Sequence, residues 1–146
     1  MSLTKQACLG LLLLAFNFST VQAQVTKPDP ANFDRFVTQV YTGSGADYIK
    51  PDTRRYVYMK ELFEKRISYV KSDAEKLDLD SNLKLLSEVP MYNLYNPGLS
   101  RDSGFDPDRF NPFKYQFDFY AAKKLIYRID GTEYLIVIAP QERKNQ

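Results

Sequence analysis

The stretch FDPDRFNPFKYQFDFY, residues 105–120, places seven aromatic rings in sixteen positions and constrains the fold more than any other part of the chain. Phe and Tyr side chains bury about 150–250 Å² each, so a run this dense has to lie against an interior. Within it Tyr115, Phe117 and Phe119 alternate with Lys114, Gln116 and Asp118, the period of a half-buried strand. Residues 125–129 read as a second strand and 133–139 as a third that is apolar on both faces. Asp130 and Gly131 between them predict a tight hairpin. The expectation is a three-stranded antiparallel meander over 114–139, which needs a covering layer to be stable.

Two amphipathic helices supply the cover. Over 31–42, Asp29 is placed to cap, Pro30 suits the first turn, and Phe33, Phe36, Val37, Val40 and Tyr41 recur at helical spacing before Gly43. A longer helix is predicted over 52–71, with Tyr56, Met59, Phe63, Ile67 and Val70 on one stripe and Tyr58, Leu62 and Tyr69 widening it. The lettering DPDRF at 106–110 repeats DPANF at 29–33, but Pro112 keeps the second copy to a single turn. The fold expected is α+β, with N-terminal amphipathic helices packed on a C-terminal three-stranded antiparallel meander and residues 77–105 wrapping the edge.

The ends set the compartment. Lys5, the apolar run 9–18, and the small residues Val21 and Ala23 predict a signal peptide over 1–23 with cleavage between Ala23 and Gln24. The run is too short to span the ~30 Å hydrocarbon layer, so no transmembrane segment is expected in the mature chain. Cys8 precedes that run instead of following it, which is the wrong order for lipid attachment. Removing 23 residues from 146 leaves 123, with an extended tether over 24–30 and a single α+β domain over 31–146. The mature chain carries 19 basic and 18 acidic side chains, so no global field draws it to nucleic acid. It loses the one cysteine and has no histidine, which excludes thiol catalysis, imidazole bases, disulfides and Cys/His zinc sites.

Few constellations carry chemistry. Asp78, Asp80 and Asn82 copy the opening of an EF-hand loop, but Leu83 stands where glycine is needed and Val89 where glutamate is needed. They are weak calcium candidates, as are Asp102, Asp106 and Asp108, and no metal or cofactor is assigned. Residues 42–46, TGSGA, lack the third glycine and the Lys of a phosphate loop and read as a helix stop with a flexible link. Residues 50–71 hold seven basic and three acidic side chains, but 72–88 hold two and five, so the local charge is offset and nucleic-acid binding is not expected.

The departure from a plain amphipathic pattern lies on the long helix. Arg55 and Arg66 fall inside its wide apolar arc beside Tyr58 and Tyr69, where they can grip a carboxylate, phosphate or sugar acid, or centre a protein interface. The structural alternative is that their stems pack while the guanidinium groups pair with an acid from 102–118.

The cleavage site after Ala23, FNPFKYQFDFY and YRIDGTEYLIVI together resemble small exported proteins of Gram-negative bacteria that have no assigned function. The resemblance implies a periplasmic or secreted domain and brings no substrate, cofactor or active-site residue. The function expected is an exported, non-catalytic binding or accessory module that meets another cell-envelope protein. The alternative is a small-ligand or glycan-binding protein, with a carboxylate-dependent hydrolase as its extreme form, using Arg55, Tyr58, Arg66 and Tyr69. A concave pocket with convergent Arg and Tyr favours the ligand; a flat apolar patch or an unpaired strand favours the protein partner. Neither the partner's identity nor the oligomeric state follows from the sequence.

Overall fold

The computed structural model describes residues 23–73 and 83–141. Among them are β1 (Gln24–Thr26), α1 (Phe33–Val40), α2 (Ser44–Tyr48), α3 (Arg54–Glu61), β2 (Ile67–Lys71), β3 (Lys84–Leu85), β4 (Leu125–Arg128) and β5 (Tyr134–Ile138). The strands form one five-stranded mixed sheet in the order β1-β2-β5-β4-β3, antiparallel except for the parallel β3–β4 pair. The α+β class is as expected, but the three-stranded antiparallel meander is not what forms.

The start of α1 follows its lettering. Asp29 accepts a hydrogen bond from Ala31 N, and Pro30 opens a 3₁₀ turn that runs into the helix. Phe33, Phe36, Val37 and Val40 are then buried on one face. Tyr41 caps the end of α1, and Gly43 leads into the next helix at φ +55°, a conformation that costs other residues strain. Where the TGSGA stretch suggested a flexible link, the chain goes on to the short helix α2.

The long helix expected over 52–71 is three pieces. Thr53 caps α3 through Tyr56 N, the helix widens into a π-turn at Leu62–Arg66, and the chain then becomes β2. Ile67 and Tyr69 fit a helical stripe, but they also alternate, and β5 resolves the ambiguity. That strand is apolar on both faces and gains a second neighbour when Ile67 pairs with Ile138 and Tyr69 with Ile136. Ladder bonds and four buried apolar faces in the middle of the sheet outweigh helix propensity worth at most about 0.7 kcal/mol per residue.

The strand expected at 114–120 is also overturned. Asn111 caps a 3₁₀ turn at Pro112–Lys114, and Tyr115 makes a single bridge to Met91. Beyond it Phe117 N bonds Tyr115 O and Phe119 N bonds Phe117 O, so the backbone closes on itself and joins no ladder. The alternation still reports burial, for Tyr115 and Phe117 are interior and Phe119 half-buried. The β4–β5 hairpin forms where expected with a wider loop, in which only Gly131 takes positive φ and Ile129 N bonds Tyr134 O. Residues 24–26, expected as tether, are the edge strand β1, with Gln24 opposite Lys71.

One interior joins these parts, with Phe33, Phe63, Phe117 and Ile136 in the same buried cluster. Asn111 is fully buried within it and fully bonded: its amide donates to Phe36 O and Gln39 Oε1, and its oxygen accepts from Phe113 N. That side chain pins the 111–119 segment to α1. No helix among the described residues is long and apolar enough to cross a membrane.

Candidate functional site

Arg55, Tyr58, Met59 and Leu62 stand at i, i+3, i+4 and i+7, so one face of α3 and its π-turn presents all four to the same side. Opposite lie Phe113, Phe117 and Phe119, carried by the segment that Asn111 anchors. The two walls enclose a cleft of about 340 Å³, within the ordinary range for small-molecule sites. Tyr41, Tyr48, Tyr92 and Tyr120 complete its rim, with Tyr115 and Gln116 also lining it. Its lining includes no Asp or Glu.

The rim is held from behind. Gly45 has to be glycine, because a Cβ there would sit 2.6 Å from Tyr95 Cγ; the bare backbone of α2 lets that ring pack against it. Thr42 Oγ1 donates to Tyr95 O and Asn96 Nδ2 to Gln39 O, tying residues 95–96 to the end of α1. Tyr41, Tyr48, Tyr92 and Tyr95 then cluster with neighbouring ring centroids 5.5–6.4 Å apart. Burial raises the Tyr41 phenol well above its ordinary pKa, with Tyr92 adding to the effect, and burial raises Tyr92 as well. Both hydroxyls stay protonated at neutral pH and serve as hydrogen-bonding groups, not as bases or nucleophiles. Across the cleft Tyr120, 69% exposed, stacks on Tyr58 with ring planes 1° apart and centroids 5.2 Å apart.

The four residues singled out in the sequence separate into three situations. Arg55 and Tyr58 line the cleft, and the Arg55 Cζ lies 3.3 Å over the Tyr48 ring. Arg66 sits behind Tyr58 and is structural, though its partners are not the acids that the alternative reading named. Its Nε donates to Ala139 O, and its two terminal nitrogens donate to Tyr58 Oη and Phe119 O. Tyr58 in turn donates to Phe119 O, so one guanidinium fixes the end of β5, a rim tyrosine and the opposite wall. Tyr69 is fully buried against Phe105 and Phe110, away from the cleft. Tyr48, Tyr92 and Tyr120 were not singled out; the signal available was tyrosine recurring in short segments without an apolar period.

The carboxylates give no comparable site. Asp78, Asp80 and Asn82 lie outside the described residues. Asp102 Oδ1 pairs with Lys114 Nζ at 2.6 Å, and Asp106 accepts from Asp108 N within its own turn. No group of three metal-ligating side chains comes together among the described residues. A polar cavity of about 370 Å³ beside the 102–110 loop contains that ion pair together with Arg35, which is bonded to Asn32. Comparison with known proteins adds no relative: no protein-family model, curated protein or solved structure matches this chain.

Proposed function

We propose that the chain is an exported, non-catalytic binding protein whose aromatic cleft holds a saccharide. The observation that carries this reading is the composition of the cleft: flat rings on both walls, phenol, amide and guanidinium groups at the rim, and no carboxylate. The C–H faces of sugar rings stack on tyrosine and phenylalanine, while their hydroxyls need directional polar partners around the edge. A hydrolase acting by paired carboxylates has no acid to use here. Export is the expectation of the N-terminal pattern and belongs to the proposal.

A second reading, an accessory module that meets another envelope protein, draws on Leu94, 70% exposed in the segment that also carries Tyr92 and Tyr95. Edge-strand addition is the weaker route to such a partner, since β1 has three residues and β3 two.

Retention on insoluble polysaccharides, cellulose, chitin and isolated peptidoglycan among them, tests the proposal. Wild-type protein is retained on at least one. The Tyr120→Ala variant loses one exposed stacking surface worth about 1 kcal/mol and binds about fivefold more weakly. Equal retention of variant and wild type would contradict the reading.

A further inference from the structure

Three arginines stand behind or beside the rings of the cleft. Arg66 lies 6.0 Å from the Tyr58 centroid and Arg101 5.6 Å from that of Tyr115. Both are engaged, Arg66 as described and Arg101 by donating to the carbonyls of Leu86, Ser87 and Val89. Arg55 differs from them. It is exposed, it lines the cleft, and no hydrogen bond or ion pair engages its five N–H donors among the described residues. At 3.3 Å from the Tyr48 centroid its plane lies flat on the ring, since an edge-on approach would hold Cζ farther away. Stacking of this kind orients the fork before a ligand arrives and reduces the conformational freedom lost on binding. A guanidinium so held matches a carboxylate bidentately, and the absence of any Asp or Glu from the lining leaves it without an internal competitor.

From this geometry we infer that the saccharide is acidic, of the uronic-acid class, with its carboxylate read by Arg55. The inference rests on the saccharide reading of the cleft and adds the charge of the ligand to it. The rings give affinity to any sugar of suitable shape, and Arg55 selects among them. Tyr41, Tyr92 and Gln116 are the neutral groups nearest to hand for the sugar's hydroxyls; Gln116 donates to Met91 O and keeps its amide oxygen as an acceptor.

The test uses tyrosine fluorescence, which the eleven tyrosines and the lack of tryptophan make the natural signal. The purified full-length protein is titrated with tri-galacturonic acid and, separately, with its methyl ester, in low and in high salt. Wild type binds the acid at least tenfold more tightly than the ester, the effect of one charge-assisted bidentate contact, and the ratio shrinks as salt rises. In Arg55→Gln the ratio of the two affinities falls to about one, with the unfolding midpoint unchanged because Arg55 is exposed. Equal affinity of wild type for acid and ester overturns the inference and leaves the saccharide reading standing. Failure of wild type to bind either sugar likewise overturns the acidic-sugar inference, while the saccharide reading is decided separately by retention on the insoluble polysaccharides.

Discussion

Arg66 offers the sharpest test of how the cleft is held. Replacing it with Met keeps an apolar stem of similar length and removes three donors, those to Ala139 O at 3.0 Å, Tyr58 Oη at 3.0 Å and Phe119 O at 2.8 Å. Hydrogen bonds from a charged donor contribute about 1.5–3 kcal/mol each, and Arg66 is only partly buried, so the low end applies and water recovers some of the loss. A destabilisation of about 3 kcal/mol follows, a large fraction of the ~5–15 kcal/mol that holds a domain together. At roughly 4 °C per kcal/mol for a domain of this size, the unfolding midpoint falls by about 12 °C. Arg66→Lys keeps one of the three contacts and loses about 2 kcal/mol. Urea unfolding followed by circular dichroism reads both, with the midpoint shifting and the slope constant. Tyr58→Phe added to Arg66→Met costs less than it does in wild type, because the two side chains share one network. An Arg66→Met midpoint within about 0.5 kcal/mol of wild type would refute the reasoning, since the guanidinium would then be solvated and the walls held by packing alone.

Other parts of the molecule make separate predictions. Among the described residues the buried Tyr69 hydroxyl has no hydrogen-bond partner, and neither has Asp102 Oδ2, so Tyr69→Phe stabilises by about 1 kcal/mol in thermal unfolding; a loss of that size would show the hydroxyl to be bonded. Gly45→Ala pushes Tyr95 off α2 and costs about 1–3 kcal/mol, with a parallel weakening of saccharide binding, whereas a variant that folds and binds like wild type would count against the close approach. Partial burial works to raise the Asp130 pKa, but bonds from the Ser87 hydroxyl and backbone N–H, with its own backbone, lower it overall. Its contribution is therefore present above the unfolded value near 4 and is lost as pH falls through the lower folded value. Acid unfolding of Asp130→Asn is correspondingly less pH-dependent below about pH 4, and an identical acid limb in wild type and variant would contradict this.

The aromatic positions were legible because burial leaves a local mark. Phe33 and Phe36 sit at helical spacing, Tyr115 and Phe117 alternate, and all four are interior. The β4–β5 hairpin was legible for the same reason, with glycine at the one position whose φ is positive. The state of 67–71 was not, since Ile67 and Tyr69 satisfy both periods and the choice belongs to β5, more than sixty residues away in the chain. Residues 115–119 show the converse, a strand period without a strand: in a meander they would pair with β4, but the edge of β4 away from β5 is taken by β3. Arg66 bonds two backbone carbonyls and a tyrosine instead of an acid from 102–118, a set not legible in advance because backbone carbonyls leave no signature in a sequence. The cleft was half visible: Arg55 and Tyr58 stand out on α3, while Tyr48, Tyr92 and Tyr120 come from segments whose meeting depends on the glycine contact at Gly45 and the anchoring of 111–119 by Asn111.

The central claim is that rings from α2, α3 and the 113–120 segment form one ligand site. Aromatic ring NMR during titration with tri-galacturonic acid tests it most directly. The account predicts saturable shifts at Tyr48, Tyr58, Tyr92 and Tyr120 with Tyr69 unmoved. Shifts confined to Tyr69 and Phe105, which lie away from the cleft, would contradict it.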